Sequence, residues 1–332
     1  MKKVKQAYKV KAVIVAVVAM IALFAPEAKA QVDAQLSLYW ALPSYNNPAA
    51  IGRTDYIHIM GGARLQWVGI PNAPQSFIAT ADMPIKIAKK RIGVGIVMQQ
   101  ESIGLFSNLQ FGAQLAYKQK LFGGELSIGL QAGLFAQKFK GSEVYIPSDD
   151  DYHQETDDAI PTTDMHGTAL DLGLGAFYTH KWFWAGISAT HLTEPTISLN
   201  TDEGTEESLY ESQAGRMFYF MGGSNIPIKN TLYEIQPSLM IRTDFTDVQP
   251  EVTARVRYNK FLSAGVAYRY DDAVSIQIGA EFKNFFVGYN YDYHTSAISK
   301  ASSGSHEVFV GYNVKLNMSD KNKNKHKSIR LM

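Results

Sequence analysis

The residues best equipped for chemistry in this 332-residue chain are carboxylates, and they cluster. Glu143, Asp149, Asp150, Asp151, Glu155, Asp157, Asp158 and Asp164 share one stretch, with His153 and His166 among them. A calcium site needs about six to eight oxygens converging on one point. Asp149, Asp150 and Asp151 are consecutive and lack the alternating spacing and turn glycine of a calcium-binding loop. The plain reading is a solvated loop. Asp149, Asp150, Asp151, Asp157 and Asp158 stand as weak metal candidates, with a His/Asp site or a cation-bridged contact to surface polysaccharide as the alternatives. A second acidic stretch, Glu194, Asp202, Glu203, Glu206, Glu207 and Glu211, repeats the sign. Two such loops on one rim would steer a basic partner or simply keep the surface soluble.

Other chemistry finds little support. The eight histidines form no HExxH pair, and there is no GxSxG nucleophile elbow or GxxxxGK phosphate loop. The absence of cysteine removes thiol nucleophiles, disulfides and cysteine metal sites. Neither catalysis nor a cofactor is expected. Basic and acidic residues nearly balance at 32 and 31, but six lysines and one glutamate lie in the first thirty residues. Beyond them the balance is 26 basic to 30 acidic, the opposite of a duplex-binding protein. No nucleic-acid partner is expected.

The first thirty residues read as a secretory signal: a lysine-rich start, an apolar run from Ala12 to Phe24, and the small-residue site Ala28-Lys29-Ala30. The apolar run is about 13 residues, short of the ~20 that a spanning helix needs. Export with cleavage before Gln31 follows.

The elements that would position any site are strands. In 108–119, Leu109, Phe111, Ala113, Leu115 and Tyr117 share one face, while Gln110, Gly112, Gln114 and Lys118 share the other. In 248–259, Val248, Pro250, Val252, Ala254, Val256 and Tyr258 oppose Gln249, Glu251, Thr253, Arg255 and Arg257. The same period runs through 274–283. Segments of this kind occupy 56–66, 76–83, 91–100, 107–119, 124–138, 168–179, 182–190, 215–225, 231–243, 248–258, 261–270, 273–282, 284–293 and 305–315. Fourteen long alternating segments with aromatics at their ends predict an all-β fold, a transmembrane antiparallel up-and-down barrel over 56–316. With the mature start in the periplasm, the long connections 139–167, 191–214 and 294–304 all fall outside, and the inward ones are short. The inward face would carry Glu125, Gln131, Gln249, Glu251, Arg255, Arg257, Gln277, Glu281, Asn290 and Asp292. Such charges either form a lattice across the lumen or line a water path.

Three further segments invite functional readings. Trp67–Pro74 sets Trp67, Gly69, Pro71 and Pro74 in one outer connection, which is either a stiff hairpin tip or a docking surface. Residues 31–55 are too polar and proline-punctuated to span, yet carry Leu36, Leu38, Tyr39 and Trp40. They are expected to tuck into the lumen or cap the periplasmic mouth. Residues 317–332 carry five cations and read as a basic periplasmic tail, with a hook for an acidic partner as the alternative.

The mature start Gln31-Val-Asp-Ala-Gln-Leu-Ser-Leu-Tyr39 and the run Asn46-Asn-Pro-Ala-Ala-Ile-Gly52 resemble the opening of the PorP/SprF family. These are outer-membrane proteins of the type IX secretion and gliding machinery of Bacteroidota. Gln66-Trp-Val-Gly-Ile-Pro-Asn-Ala-Pro74, Ser76-Phe77, Asp82-Met-Pro84, Gly93-Val-Gly95, Gly288-Tyr-Asn-Tyr-Asp-Tyr293 and Ser303-Gly-Ser-His-Glu307 continue the likeness in order. The family pattern usually has glycine where Asn72 stands. The resemblance implies an outer-membrane scaffold, either a secretion component or the surface anchor of a secreted protein or adhesin. Its partners would be that cargo, the machinery and outer-membrane lipid. Within the shared motifs, Asn47, Pro48, His306 and Glu307 join Trp67, Gly69, Pro71 and Pro74 as candidate partner contacts. A passive pore or hydrophobic-substrate transporter is the competing expectation.

Overall fold

The two-residue period becomes two chemically opposite surfaces. The computed structural model describes residues 33–87, 90–144, 161–201 and 210–317. The expected signal segment, Asp149–Asp151, Asp157, Asp158 and nearly all of the basic tail lie outside those residues. Fourteen antiparallel strands close into a barrel. They are β1 (Tyr56–Leu65), β2 (Gln75–Ile87), β3 (Lys90–Ile103), β4 (Phe106–Leu121), β5 (Gly124–Phe139), β6 (Met165–Thr179) and β7 (Phe183–Thr190). There follow β8 (Met217–Ser224), β9 (Tyr233–Thr243), β10 (Val248–Tyr258), β11 (Leu262–Arg269), β12 (Ala273–Phe282), β13 (Phe285–His294) and β14 (Ser305–Lys315). Each strand pairs with its sequence neighbours. The seam closes by pairing β1 with β14, from Tyr56↔Lys315 to Leu65↔His306.

Outside, the wall is apolar; inside, it is polar. On β4, Leu115 is 54% exposed, whereas Gln114 beside it is 4% exposed. Ile276 and Gln277 on β12 repeat the contrast. An exposed apolar face around a buried polar one inverts a soluble domain and fits a wall solvated by lipid. Among the described residues no helix is long and apolar enough to cross a membrane. Aromatic pairs sit at both ends of the wall, Phe106 with Phe139 and Phe218 with Phe245 at one, Tyr233 with Tyr258 and Phe285 with Tyr312 at the other.

The start of β1 and the end of β14 lie at the end with short turns; the longer connections share the opposite end. Two details differ from the sequence reading. The connection expected over 84–90 is mostly strand, because β2 runs on to Ile87 opposite Lys90. Pro84 is tolerated there since the β1–β2 ladder already stops at His58↔Asp82, so no partner waits for its missing N–H. The connection after β7 contains a further hairpin, Thr196–Leu199 paired with Tyr210–Gln213. Its Ile197 and Leu199 pack on Phe135 and Met165, folding the hairpin over the barrel mouth.

Leu115→Arg places a charge on the lipid face and is expected to destabilise the barrel by about 2–4 kcal/mol. Urea titrations of heat-modifiable migration in bilayers would measure it; an unchanged midpoint would contradict the assigned orientation.

Candidate functional site

The lumen is occupied by the chain's own N-terminal segment. Residues 33–52 run from Asp33 at the loop end, opposite to the periplasmic end expected for the mature start, down to Gly52 at the end where β1 begins and β14 finishes, and most are buried. Prolines at 43 and 48 break the segment into a single helical turn, Pro43–Asn46, and a 3-10 turn, Pro48–Ala50. A continuous strand or helix would leave its polar groups to one partner; the broken path presents backbone groups in several directions.

The upper part is held by charge. Glu307 accepts hydrogen bonds from the backbone N–H groups of Ser37 (3.0 Å) and Leu38 (2.8 Å). The Ser37 hydroxyl donates to Asp292 at 2.9 Å and accepts from Arg269 at 2.5 Å, while the Ser37 carbonyl accepts from Gln277 at 2.9 Å. Arg64 bridges Asp292 (2.7 Å) and Glu307 (3.1 Å), all three side chains being at most 1% exposed. Arg269 joins Glu251 at 2.8 Å and Asp272 at 2.7 Å. Buried charges persist only when paired and hydrogen-bonded, so this lattice fixes the segment's register as well as its position. At Asp272, in the turn after β11, burial raises the carboxyl pKa, but His294 and Arg269 outweigh it and bring it down to about 2.

A second clamp holds the segment's first described residue. His191, just past the last residue of β7, lies 3.1 Å from Asp33 through Nε2 and 3.0 Å from Asp171 through Nδ1. Tyr219 and Thr190 also donate to Asp33, at 2.5 and 3.0 Å. Burial disfavours the imidazolium, but the two flanking carboxylates overcome it and raise the His191 pKa to about 10. Burial likewise pushes Asp33 upward, and the His191 charge with these hydrogen bonds holds it well below the usual carboxylate range.

The lower part is held by shape. Asn47 donates to the carbonyls of Ala176 and Ile187, each at 3.1 Å, and its side-chain oxygen caps Ala49. A Cβ on Gly175 would lie 2.1 Å from the Asn47 oxygen, and one on Gly129 would lie 2.3 Å from the Ala49 nitrogen. The strand glycines thus make room for this segment as well as for the wall. Leu36, Leu38 and Leu42 pack with Phe309, and Tyr39 and Ala49 pack with Phe177 and Tyr219.

Above the segment lies a vestibule of about 510 Å³, floored by Asp33, Ala34 and Gln35. Trp67, Phe106, Glu101, Gln137 and Asp271 contribute to its sides, and among the described residues no lysine or arginine lines it. Among the described residues, the buried Trp67 indole N–H and Gln137 side-chain oxygen have no hydrogen-bond partner. The outer connection carrying Trp67 is tied to its neighbours by backbone hydrogen bonds. Val68 exchanges backbone hydrogen bonds with Gly304 and Ser303, at 2.8 Å each, and Gly104 donates to Asn72 at 3.0 Å. Asn72 has φ 55°, a conformation open to glycine and asparagine, which explains why this departure is tolerated.

The candidate contacts therefore separate. Trp67, Gly69, Pro71 and Pro74 stand together on the outer rim, with His306 on the adjoining strand. Asn47, Pro48 and Glu307 are enclosed in the lumen, where they hold the segment. Among the described residues no group of three or more acids and histidines is arranged to hold a metal; His191 bridges its two carboxylates rather than converging with them on one point. The spacing of Asp33, Asp171 and His191 carries no sequence signal. Arg64 was traceable only as a lone charge on an inward face.

A family model described as type IX secretion system membrane protein PorP/SprF matches residues 28–312. The chain belongs to this family. It is an outer-membrane β-barrel, so the short-turn end faces the periplasm and the vestibule faces outward. Among solved structures, a Pseudomonas aeruginosa FadL homologue aligns with TM-score 0.50 and 10% identity over 87% of this chain and 100% of that one. The Ralstonia pickettii toluene transporter TbuX aligns with TM-score 0.47 and 9% identity, over 82% and 92%. Acinetobacter baumannii Omp33 gives 0.42 and 8%, over 79% and 98%. Identities this low speak for the barrel fold alone. A search of curated proteins returned no match.

Arg64→Met strands the Asp292 and Glu307 carboxylates and should lower stability by about 3–5 kcal/mol, read from urea midpoints. The His191 clamp gives a pH signature. Its contribution is complete below the ordinary pKa of 6.5 and is lost as pH rises through about 10. The stability gap between the unsubstituted protein and His191→Gln should therefore be widest near pH 6 and shrink toward pH 10. A gap that widened with pH would refute the charged imidazole.

Proposed function

We propose that this barrel is a non-enzymatic dock, holding a protein exported through the type IX system at its outer rim. The observation that carries the reading is the filled lumen beneath an outward vestibule. Binding surface is offered above the segment, and packed side chains lie below it. The rim is preorganised by the backbone bonds between the 66–74 and 295–304 connections, which lowers the entropy lost on binding. Asp271 gives the vestibule a negative character suited to a partner presenting basic or donor-rich groups. Contact with the machinery is assigned to the periplasmic face, including residues 317–332.

A photo-crosslinker at Gly69 or Asp271 in intact cells should capture a surface protein, and the adduct should vanish when type IX export is inactivated. The same label at lipid-facing Leu115 should capture none. Rim labels that yield no export-dependent adduct would overturn the docking role.

A further inference from the structure

The periplasmic end is ringed by lysine. Six turns join strands there, between β2 and β3, β4 and β5, β6 and β7, β8 and β9, β10 and β11, and β12 and β13. Five of them carry an exposed lysine on or beside the turn: Lys120, Lys181, Lys229, Lys260 and Lys283. The sixth is flanked by Lys86 and Lys90. The carboxylates near this end are already engaged by cations of the wall. Asp55 pairs with Arg91 at 3.0 Å, Glu125 with Lys118 at 3.5 Å, and Glu234 and Glu281 both with Arg257, at 2.5 and 3.5 Å. None of the five turn lysines makes an ion pair with a described carboxylate, so the charge of these five is uncompensated among the described residues.

Its position says what compensates it. Exposed girdle residues stand beside the lysines: Phe122, Trp182, Phe261 and Phe282 are all on the outer surface. The Lys181 ammonium lies 4.9 Å from the Trp182 ring centre, and that of Lys283 lies 5.2 Å from Phe282. Girdle aromatics mark the level of the lipid headgroups. The backbone also accommodates these side chains where glycine would be easier. Asn259 and Lys260 both have positive φ, 50° and 54°, and so does Lys283, at 54°. Because successive turns alternate around the barrel, the charges encircle it. A folded protein would cover one sector of that ring; a lipid annulus meets all of it.

We propose that this ring binds the phosphate-bearing headgroups of anionic phospholipids in the inner leaflet, fixing the barrel's depth from the periplasmic side. Each basic side chain at an anionic surface contributes roughly fivefold in affinity, and salt screens the effect within about 8 Å.

The test uses the full chain in nanodiscs of mixed phosphatidylglycerol and phosphatidylcholine, with spin-labelled lipids reporting the annulus. The unsubstituted protein should enrich phosphatidylglycerol several-fold at low salt and lose the enrichment at high salt. Replacing Lys120, Lys181, Lys229, Lys260 and Lys283 with glutamine should abolish it, and replacing them with arginine should retain it. The salt titration needs no variant, so poor assembly of the glutamine protein leaves the proposal falsifiable. Equal enrichment of both lipids by the unsubstituted protein would overturn it. So would a glutamine variant that keeps its lipid preference but loses a crosslinked periplasmic protein, which would give the ring to a protein partner. None of these outcomes depends on the docking role.

Discussion

The buried lattice around Ser37 governs the rest of the molecule. Two guanidinium groups, Arg64 and Arg269, and the carboxylates of Asp292, Glu307 and Glu251 are withdrawn from water in the lumen. Each is tolerable there only because the others and the backbone of Ser37 and Leu38 complete its hydrogen bonds. An empty lumen would leave Glu307 without two backbone donors and Ser37's partners without their bridge. The segment and the polar interior are thus mutually required: the charges need the segment, and the segment has no other way to satisfy its irregular backbone.

The same residues sit at the seam. Arg64 lies on β1 and Glu307 on β14, and they face one another directly in the ladder that closes the barrel. Seating the segment and closing the wall therefore reinforce each other across one row of side chains. The segment's far end is anchored differently, by Asn47 reaching the backbones of β6 and β7 and by glycines that admit it. One anchor is electrostatic and oriented, the other steric. Together they hold the segment along most of the lumen's height, leaving a vestibule at the top. The barrel's charge is also polarised along its axis, with carboxylates around the vestibule and lysines on the periplasmic turns.

Much of this was legible in the sequence, for physical reasons. Strand number and orientation follow from a two-residue period sustained over 8 to 16 residues, because only a wall between lipid and a polar interior demands it so consistently. The mixed character of residues 31–55, apolar at Leu36 and Leu38 yet broken by Pro43 and Pro48, pointed to the lumen or its mouth. What could not be read was partnership. Glu307 and Asn47 stood in motifs and invited a reading as outside contacts, but the groups they bond between segment and wall lie 129 to 270 residues away in sequence. The Asp33–His191–Asp171 clamp joins three distant positions, none unusual locally. The hairpin at Thr196–Leu199 was hidden because its strands are four residues each, too short for a periodic signal.

The central claim is that residues 33–52 close the barrel from within. Single-channel recording in planar bilayers tests it most directly, using the full chain and a form lacking those residues. The account predicts no stable conductance for the full chain and steady opening events once the segment is removed. Steady conductance from the full chain, at the level of the shortened form or any other constant level, would contradict it.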